Sequence, residues 1–258
     1  MTSELNGYMI IMVKETKKEA VTLPESVKQD QLYVTVDVLI LTVIDGKLCL
    51  LLSRRKNPPY EGMPALPGKF IGHDETAEEA VRYLMNEMLP GGEPFLEQLY
   101  TFTETDRDPR GRVISVAYLV IIPQRKLEKL LEEKETAMQP FRVEWEEEGL
   151  RLAGKDGTVF TGADLAFDHG RIIETGIKRL QNKIGYTDIG FRFLNHAEAF
   201  SLGELQTVFE AVLNAELDSS NFRRSILNQY EKGGRLRQTA QEERKGRGRP
   251  AVLYRFDG

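Results

Sequence analysis

Three arginines crowd one short segment, Asp106-Arg107-Asp108-Pro109-Arg110-Gly111-Arg112. A guanidinium offers its donors as a planar fork that matches two phosphate oxygens, so Arg107 and Arg110 are candidates to clamp a phosphate. A solvated hairpin tip with local Asp–Arg pairs accounts for the same run from charge alone. Arg55, in the basic cluster Arg54-Arg55-Lys56, and Lys69, after a Pro/Gly-rich stretch, can add charge to such a site. A different chemistry is written further along, where Asn221, Arg224, Ser225 and Asn228 fall on one side of a helical repeat, with Arg223 on its flank. Asn can read adenine, Arg can read guanine and Ser can reach phosphate, so this face suits a major groove. An amphipathic surface helix would show the same pattern. The glycine-punctuated run Arg244, Lys245, Arg247, Arg249 then supplies cations for backbone phosphates or a minor groove.

The overall charge hides this division. The 258 residues carry a net −5, but Ser219 to Gly258 hold ten Lys/Arg and four Asp/Glu, a surplus of +6. The remaining 25 basic and 36 acidic residues leave the body at −11. An acidic body with a basic tail points to a polyanion as the tail's partner. With 41% hydrophobic and 29% charged residues the composition is that of a globular chain of one large or two smaller domains. The single cysteine, Cys49, excludes an internal disulfide and reads as a buried small hydrophobe in an apolar run. No segment reaches the roughly 20 apolar residues of a bilayer span, and Tyr8 to Val13 is too short for a signal-peptide core. A cytoplasmic location without membrane contact is the expectation.

These groups need elements to position them. Tyr33 to Thr42 and Lys47 to Ser53 read as strands joined by Asp45-Gly46, a pair suited to a type I′ turn. After the loop Asn57 to Gly68, Thr76 and Glu79 form a capping box ahead of a helix. Its apolar stripe is Ala77, Ala80, Val81, Leu84, Met85, Met88 and Leu89, and Pro90-Gly91-Gly92 stops it. Strands are expected at Leu96 to Phe102 and Val113 to Ile122. Gln124 to Met138 reads as a charged helix, and Glu144 to Glu148 around Trp145 as a surface element. Asp168 to Ile184 reads as a helix bridging two domains, with Tyr186 to Asn195 as a connection. Ser201 and Glu204 cap a further helix ending near Leu213. The helix bearing Asn221 starts near Ser219 or Ser220, with Phe222, Ile226 and Tyr230 on its back. Strands Leu236 to Gln241 and Ala251 to Phe256 then flank the basic run, which is the order of a winged helix.

A hairpin, the Leu66-Pro67-Gly68 loop and a Glu-bearing helix resemble the Nudix fold, whose signature is G-x5-E-x7-R-E-U-x-E-E-x-G-U with U a bulky apolar residue. Here Lys69 holds the first Gly position and Glu75 the first Glu. Tyr83 and Leu84 replace Arg and Glu, Met85 and Glu87 match, and Met88 and Pro90 replace the last Glu and Gly. Nudix hydrolysis uses Mg²⁺ held by carboxylates of one helix face. Leu84 and Met88 bring no hard oxygen. Glu75 and Glu87 are therefore read as remnants, with no catalytic residue, metal ligand or cofactor assigned; Mg²⁺ enters only if hydrolase activity is retained.

The runs LEQL-x-T-F and RDPRG, the strand Val113 to Leu119, Leu165-Ala166-Phe167-Asp168-His169, Asn221-Phe222-Arg223-Arg224 and Gly248-Arg249-Pro250-Ala251 are together similar to NrtR-type Nudix-related regulators. The resemblance spans Tyr33 to the C-terminus. It implies an α+β fold, a Nudix-type α/β/α sandwich followed by a winged helix-turn-helix. The expected division is an effector domain at 1–167, a linker helix and connection at 168–195, and a DNA-binding domain at 196–258. It further implies a repressor, expected as a homodimer on a double-stranded DNA operator. The implied effector is ADP-ribose or a related nucleotide or sugar phosphate, with control of NAD metabolism, or with sugar sensing and pentose catabolism as the rival. An active Nudix hydrolase is the other alternative. By carry-over the ligand residues are Arg107 and Arg110, joined by Arg55 and Lys69. Glu75 fixes a ribose or caps its loop, and His169 is a structural residue at a helix start. The DNA residues are Asn221, Arg223, Arg224 and Asn228 with the basic run 244–249.

Overall fold

In the computed structural model, residues 32–88, 94–133, 138–147, 149–243 and 251–258 are described. The apolar stretch Tyr8 to Val13, the helix stop at 89–93 and the basic run 244–250 lie outside them. Strand β1 (Tyr33–Ile44) is buried on both faces because it is the middle of a large mixed sheet. It turns through Asp45 and Gly46, both at positive φ, into the antiparallel β2 (Lys47–Arg54). The short strands β3 (Pro64–Ala65) and β4 (Gly68–Phe70) pair with β2 and β1. Helix α1 (Ala77–Met88) starts at the predicted capping box, where Glu79 N–H donates to Thr76 Oγ1 at 3.2 Å and Thr76 N–H to Glu79 Oε2 at 2.8 Å. Strand β5 (Phe95–Phe102) pairs antiparallel with β6 (Val113–Ile121), and β6 runs parallel to β1.

Helix α2 is described over Gln124–Glu133, and Met138, expected at its end, is the first residue of a strand instead. The acidic stretch beyond it is not a loose surface element. Its first part, Glu144 to Glu146, belongs to β7 (Met138–Glu146), which joins the sheet against β2 and is followed in it by β8 (Gly149–Gly154) and β9 (Val159–Thr161). Phe141, Val143 and Trp145 alternate toward the core, while Glu144 and Glu146 pair with Arg151 of the neighbouring strand. The charge run was half of a cross-strand ion ladder, whose other half lies elsewhere in the sequence.

Helix α3 (His169–Ile184) lays Ile172, Ile173, Ile177 and Leu180 on the sheet face that carries Leu39, Leu119 and Leu99. Helices α1 and α2 cover the other face through Ala80, Val81, Met85 and Leu127 against Val36, Val38 and Ile40. The result is a sandwich of helices, sheet and helix. Segment 168–195, set apart above as linker and connection, is packed structure: α3 is the third layer, and a 3₁₀ helix at Asp188–Phe193 buries Ile189, Phe191 and Phe193.

Strand β10 (Phe200–Ser201), helix α4 (Leu202–Leu213), helix α5 (Ser219–Ile226, extended by a π turn at Leu227–Glu231), β11 (Leu236–Glu243) and β12 (Ala251–Phe256) complete a winged helix, with sheet order β10-β12-β11. Ser201 caps α4 as predicted, accepting from Glu204 N–H at 3.2 Å. Phe191 stacks on Phe256 at 3.9 Å, and the buried Tyr230 donates to Thr187 O at 2.6 Å. One continuous apolar core runs from the large sheet through α3 into α4 and α5.

Candidate effector pocket and DNA-reading face

A cavity of about 190 Å³ opens at one end of the sandwich and brings together all four predicted ligand residues, Arg55, Lys69, Arg107 and Arg110. Its floor begins with Asp37, a carboxylate buried in the apolar strand β1. Burial alone would raise its pKa. Hydrogen bonds from His169 and Ser115 and the charge of Arg107 outweigh that and hold it at about 2. Ser115 Oγ donates to Asp37 Oδ2 at 2.5 Å, Arg107 Nη2 approaches the same oxygen at 3.3 Å, and His169 Nε2 faces Oδ1 at 3.5 Å. His169 Nδ1 accepts the Leu66 N–H at 2.9 Å, which puts the ring proton on Nε2, toward Asp37. The expected structural role of His169 takes this form: it pins the Leu66-Pro67-Gly68 loop to the start of α3. Gly68 is required there, because a Cβ would sit 2.5 Å from Asp37 Oδ1 and 2.7 Å from Val36 O.

The four cations differ in what they face. Arg107 is the most enclosed, its side chain only 3% exposed, and it forms a two-point bridge to Asp168 (Nη2–Oδ1 2.7 Å, Nε–Oδ2 3.0 Å). Burial works against its charge, but Asp168 and Asp37 raise its pKa above the usual value. Arg110 is held by Asp108 at 2.6 Å and 2.9 Å, and Lys69 by both oxygens of Glu75 at 2.6 Å and 2.8 Å. Arg55 donates only to the carbonyls of Pro59 and Asn57. Burial and the charge of Arg110 lower its pKa, more than the charges of Asp108 and Asp37 raise it. Among the described residues it is the pocket cation with no carboxylate partner.

The walls are aromatic. Phe167 sits at φ +54, a conformation unfavourable for a bulky L residue, and its ring meets Tyr60 edge-on at 4.9 Å. Arg55 and Arg110 lie over that ring at 4.6 Å and 5.4 Å, and Arg110 also lies over Phe70 at 5.1 Å. Such a site suits a planar group against phenyl rings and an anion against guanidinium. Asp37, Ser115, Phe70 and Phe167 were not singled out as site residues from the sequence. The signals were a lone Asp inside an apolar strand and the place of Ser115 and Phe167 in runs that carry the family resemblance.

The remnants of the Nudix signature do not fit a magnesium ion. Glu75 is engaged by Lys69 and by the Gly72 N–H at 2.8 Å, which together hold its pKa below the usual carboxylate range. Glu87 accepts from Tyr83 Oη at 2.8 Å, and Leu84 and Met88 pack toward the core. Among the described residues no group of three His, Cys, Asp or Glu side chains could hold a metal. Cys49 is buried, which pushes its thiol up to about 11.

In the winged helix, Asp218 caps α5 by accepting from Asn221 N–H at 2.8 Å. Phe222, Ile226 and Tyr230 are buried, whereas Asn221, Arg223, Arg224, Ser225 and Asn228 are exposed. Arg224 Nη2 donates to Asn221 Oδ1 at 2.7 Å, so these two form a unit; Arg223 donates to Tyr254 Oη at 3.0 Å and ties the helix to β12. Arg244, Lys245, Arg247 and Arg249 fall between the described parts of β11 and β12.

A sandwich of this type with a winged helix packed onto it defines a class: a Nudix-fold domain joined to a DNA-binding domain. A sequence profile described as the NrtR DNA-binding winged helix domain matches residues 190–256. The ADPR responsive transcriptional repressor NtrR of Acinetobacter baylyi is 31% identical over 226 residues, 86% of this chain and 81% of the relative. Among solved structures, Shewanella oneidensis NrtR complexed with a 27mer DNA aligns with a TM-score of 0.68 and 30% identity, covering 87% of this chain and 93% of that one. A MutT/nudix family protein from Enterococcus faecalis aligns with a TM-score of 0.70 and 25% identity, covering 92% and 89%. The chain belongs to the NrtR family of transcriptional regulators.

Proposed function

We propose that this chain is an ADP-ribose-responsive repressor that acts as a homodimer on a palindromic double-stranded operator, in the cytoplasm, and controls genes of NAD metabolism. The Acinetobacter baylyi relative is named for a response to ADPR, and the Shewanella oneidensis relative was solved with DNA. The pocket chemistry supports the same effector: Phe167 and Phe70 for a base, Arg55 and Arg110 for the diphosphate. Arg107 then serves as the buried brace of the site, tied to Asp168 and Asp37, more than as an open clamp. For DNA, Asn221, Arg224 and Asn228 read bases, Arg223 sets the helix against β12, and the basic run 244–249 neutralises phosphates.

The observation that carries the reading is the course of α3. Asp168 and His169 at its start belong to the pocket, and near its other end Gln181 Nε2 donates to Val212 O of α4 at 3.1 Å. Sixteen residues make a rod of about 24 Å. An effector that shifts Asp168 or His169 thereby acts on the helix that carries α4. It changes DNA affinity by as much as it distinguishes the two positions of that rod. The test is a mobility-shift titration of the full chain on an operator selected from random-sequence DNA. ADP-ribose should release the DNA, and Arg224→Ala should weaken the complex by about tenfold or more. DNA binding that ADP-ribose leaves untouched, together with Mg²⁺-stimulated cleavage of ADP-ribose, would favour a hydrolase instead.

A further inference from the structure

Helices α1 and α2 cover their face of the sheet over Val36, Val38 and Ile40. Farther across the same face, on β2, β7 and β8, lies a second cleft of about 300 Å³. Strand register builds it. Cys49 pairs with Thr42, two residues beyond Ile40, so it faces the side of those helices. Cys49 also pairs with Arg142, and Arg142 with Ala153, which sets the three side by side. Lys47 shares the side of Cys49, because side chains alternate along a strand. Lys155 follows Ala153 by two positions, in a turn closed by the Gly154 N–H on Thr158 O at 2.7 Å. Three cations from three segments therefore line one cleft, with Ile44, Pro140 and Ala153 as its apolar part. Arg142 Nε faces Glu144 Oε1 at 2.7 Å, and Asp45 also lines the cleft. Lys47 and Lys155 form no ion pair among the described residues. Three cations against these two carboxylates leave a surplus of +1. Asp156, beside Lys155, is turned back onto the Thr158 N–H at 2.9 Å. Among the described residues no aromatic ring lines the cleft, so a base has nothing to stack on, whereas Asp45 can accept from hydroxyls. The turn through Asp45 and Gly46 also touches the winged helix: a Cβ on Gly46 would meet Thr207 Cγ2 of α4 at 3.3 Å.

We propose that this cleft is a second effector site, for a compact phosphate monoester. Lys47, Lys155 and Arg142 hold the phosphate, and Asp45 accepts from a hydroxylated body. The occupant bears on α4 through the turn that carries Asp45 and Lys47. The site shares no residue with the ADP-ribose pocket, so it stands or falls apart from that reading.

The probe is ribose 5-phosphate, titrated calorimetrically into the full chain at low ionic strength, where exposed charges are least screened. It should bind the parent and the Arg55→Ala variant alike, and Lys47→Gln combined with Lys155→Gln should weaken it by about tenfold or more. No binding overturns the proposal. So does binding lost in Arg55→Ala and kept in the double variant, which puts the ligand in the effector pocket. Lys178→Gln with Lys232→Gln, two exposed lysines outside the cleft, is the control for diffuse attraction, and an equal loss there overturns it too. Cys49, the single cysteine, reports the place from inside the cleft. Its alkylation by N-ethylmaleimide should slow by about threefold with the ligand in the parent and in Arg55→Ala, but not in the double variant; an unchanged rate in the parent sinks the assignment. In a mobility-shift titration the ligand should change operator affinity by about fivefold or more, and the double variant should lose that response. Bound ligand that leaves the operator untouched removes the effector role.

Discussion

The effector pocket and the exposed face of α5 both use arginine, in opposite ways. In the pocket Arg107 is enclosed and answered by Asp168 and Asp37, and Arg110 is answered by Asp108. On α5, Arg224 is exposed and donates to the neutral Asn221. A buried charge must be satisfied within the fold, whereas an exposed one can wait for a phosphate or a base. On the proposed reading, Arg107 and Arg110 therefore carry stability as well as recognition, and Arg224 carries recognition alone.

The sharpest way to break that contrast is to remove one arginine from each place. Arg107→Ala leaves the carboxylates of Asp37 and Asp168 without their shared counter-charge and should cost about 3–5 kcal/mol of stability. Arg224→Ala, a surface change, should stay within about 0.5 kcal/mol. Urea unfolding followed by the single tryptophan, Trp145, measures both. Equal losses would erase the distinction.

A smaller effect is expected in acid. Asp37 ordinarily titrates at 3.8 and is held at about 2 in the fold. A lowered carboxylate stabilises the folded state fully above its unfolded pKa, and that contribution fades as pH falls through the folded value. The window is thus about pH 4 down to about pH 2, and its size is about 2 kcal/mol. Comparing the acid limb of stability with that of Asp37→Asn tests this; an unchanged limb would remove Asp37 from the account. Within the pocket, the smallest effect on folding belongs to Arg55, which has no carboxylate partner among the described residues. Arg55→Ala should alter stability by less than about 0.5 kcal/mol yet weaken ADP-ribose release of DNA by about tenfold. Isothermal titration beside thermal melting separates the two.

Legibility in the sequence followed the range of the interactions. The capping boxes at Thr76 and Ser201 and the apolar back of α5 are local patterns, and they form as read. The four cations that line the pocket were read chiefly from the family resemblance: charge alone marked Arg107 and Arg110 in a Pro/Gly loop, Arg55 in a basic cluster and Lys69 after a Pro/Gly-rich stretch. Their partners were harder to see, because Asp37, Ser115 and Asp168 come from three separate segments joined by the parallel pairing of β1 with β6 and by the start of α3. Strands β7 to β9 were missed for a similar reason. Glu144 and Glu146 look solvated until Arg151 is brought across from the next strand. The packing of segment 168–195 was hidden too, because an apolar helix stripe does not say which sheet it will cover.

That stripe limits how such a protein can be rearranged by recombination. Because α3 roofs the sensor's sheet and also seats the reading head, no seam between the halves leaves both intact. A graft that swaps one specificity for another has to inherit the helix with the sensor and re-fit its far end to the new head. Sensor and reader are thereby bound to drift together, as a key and its lock cut from one blank.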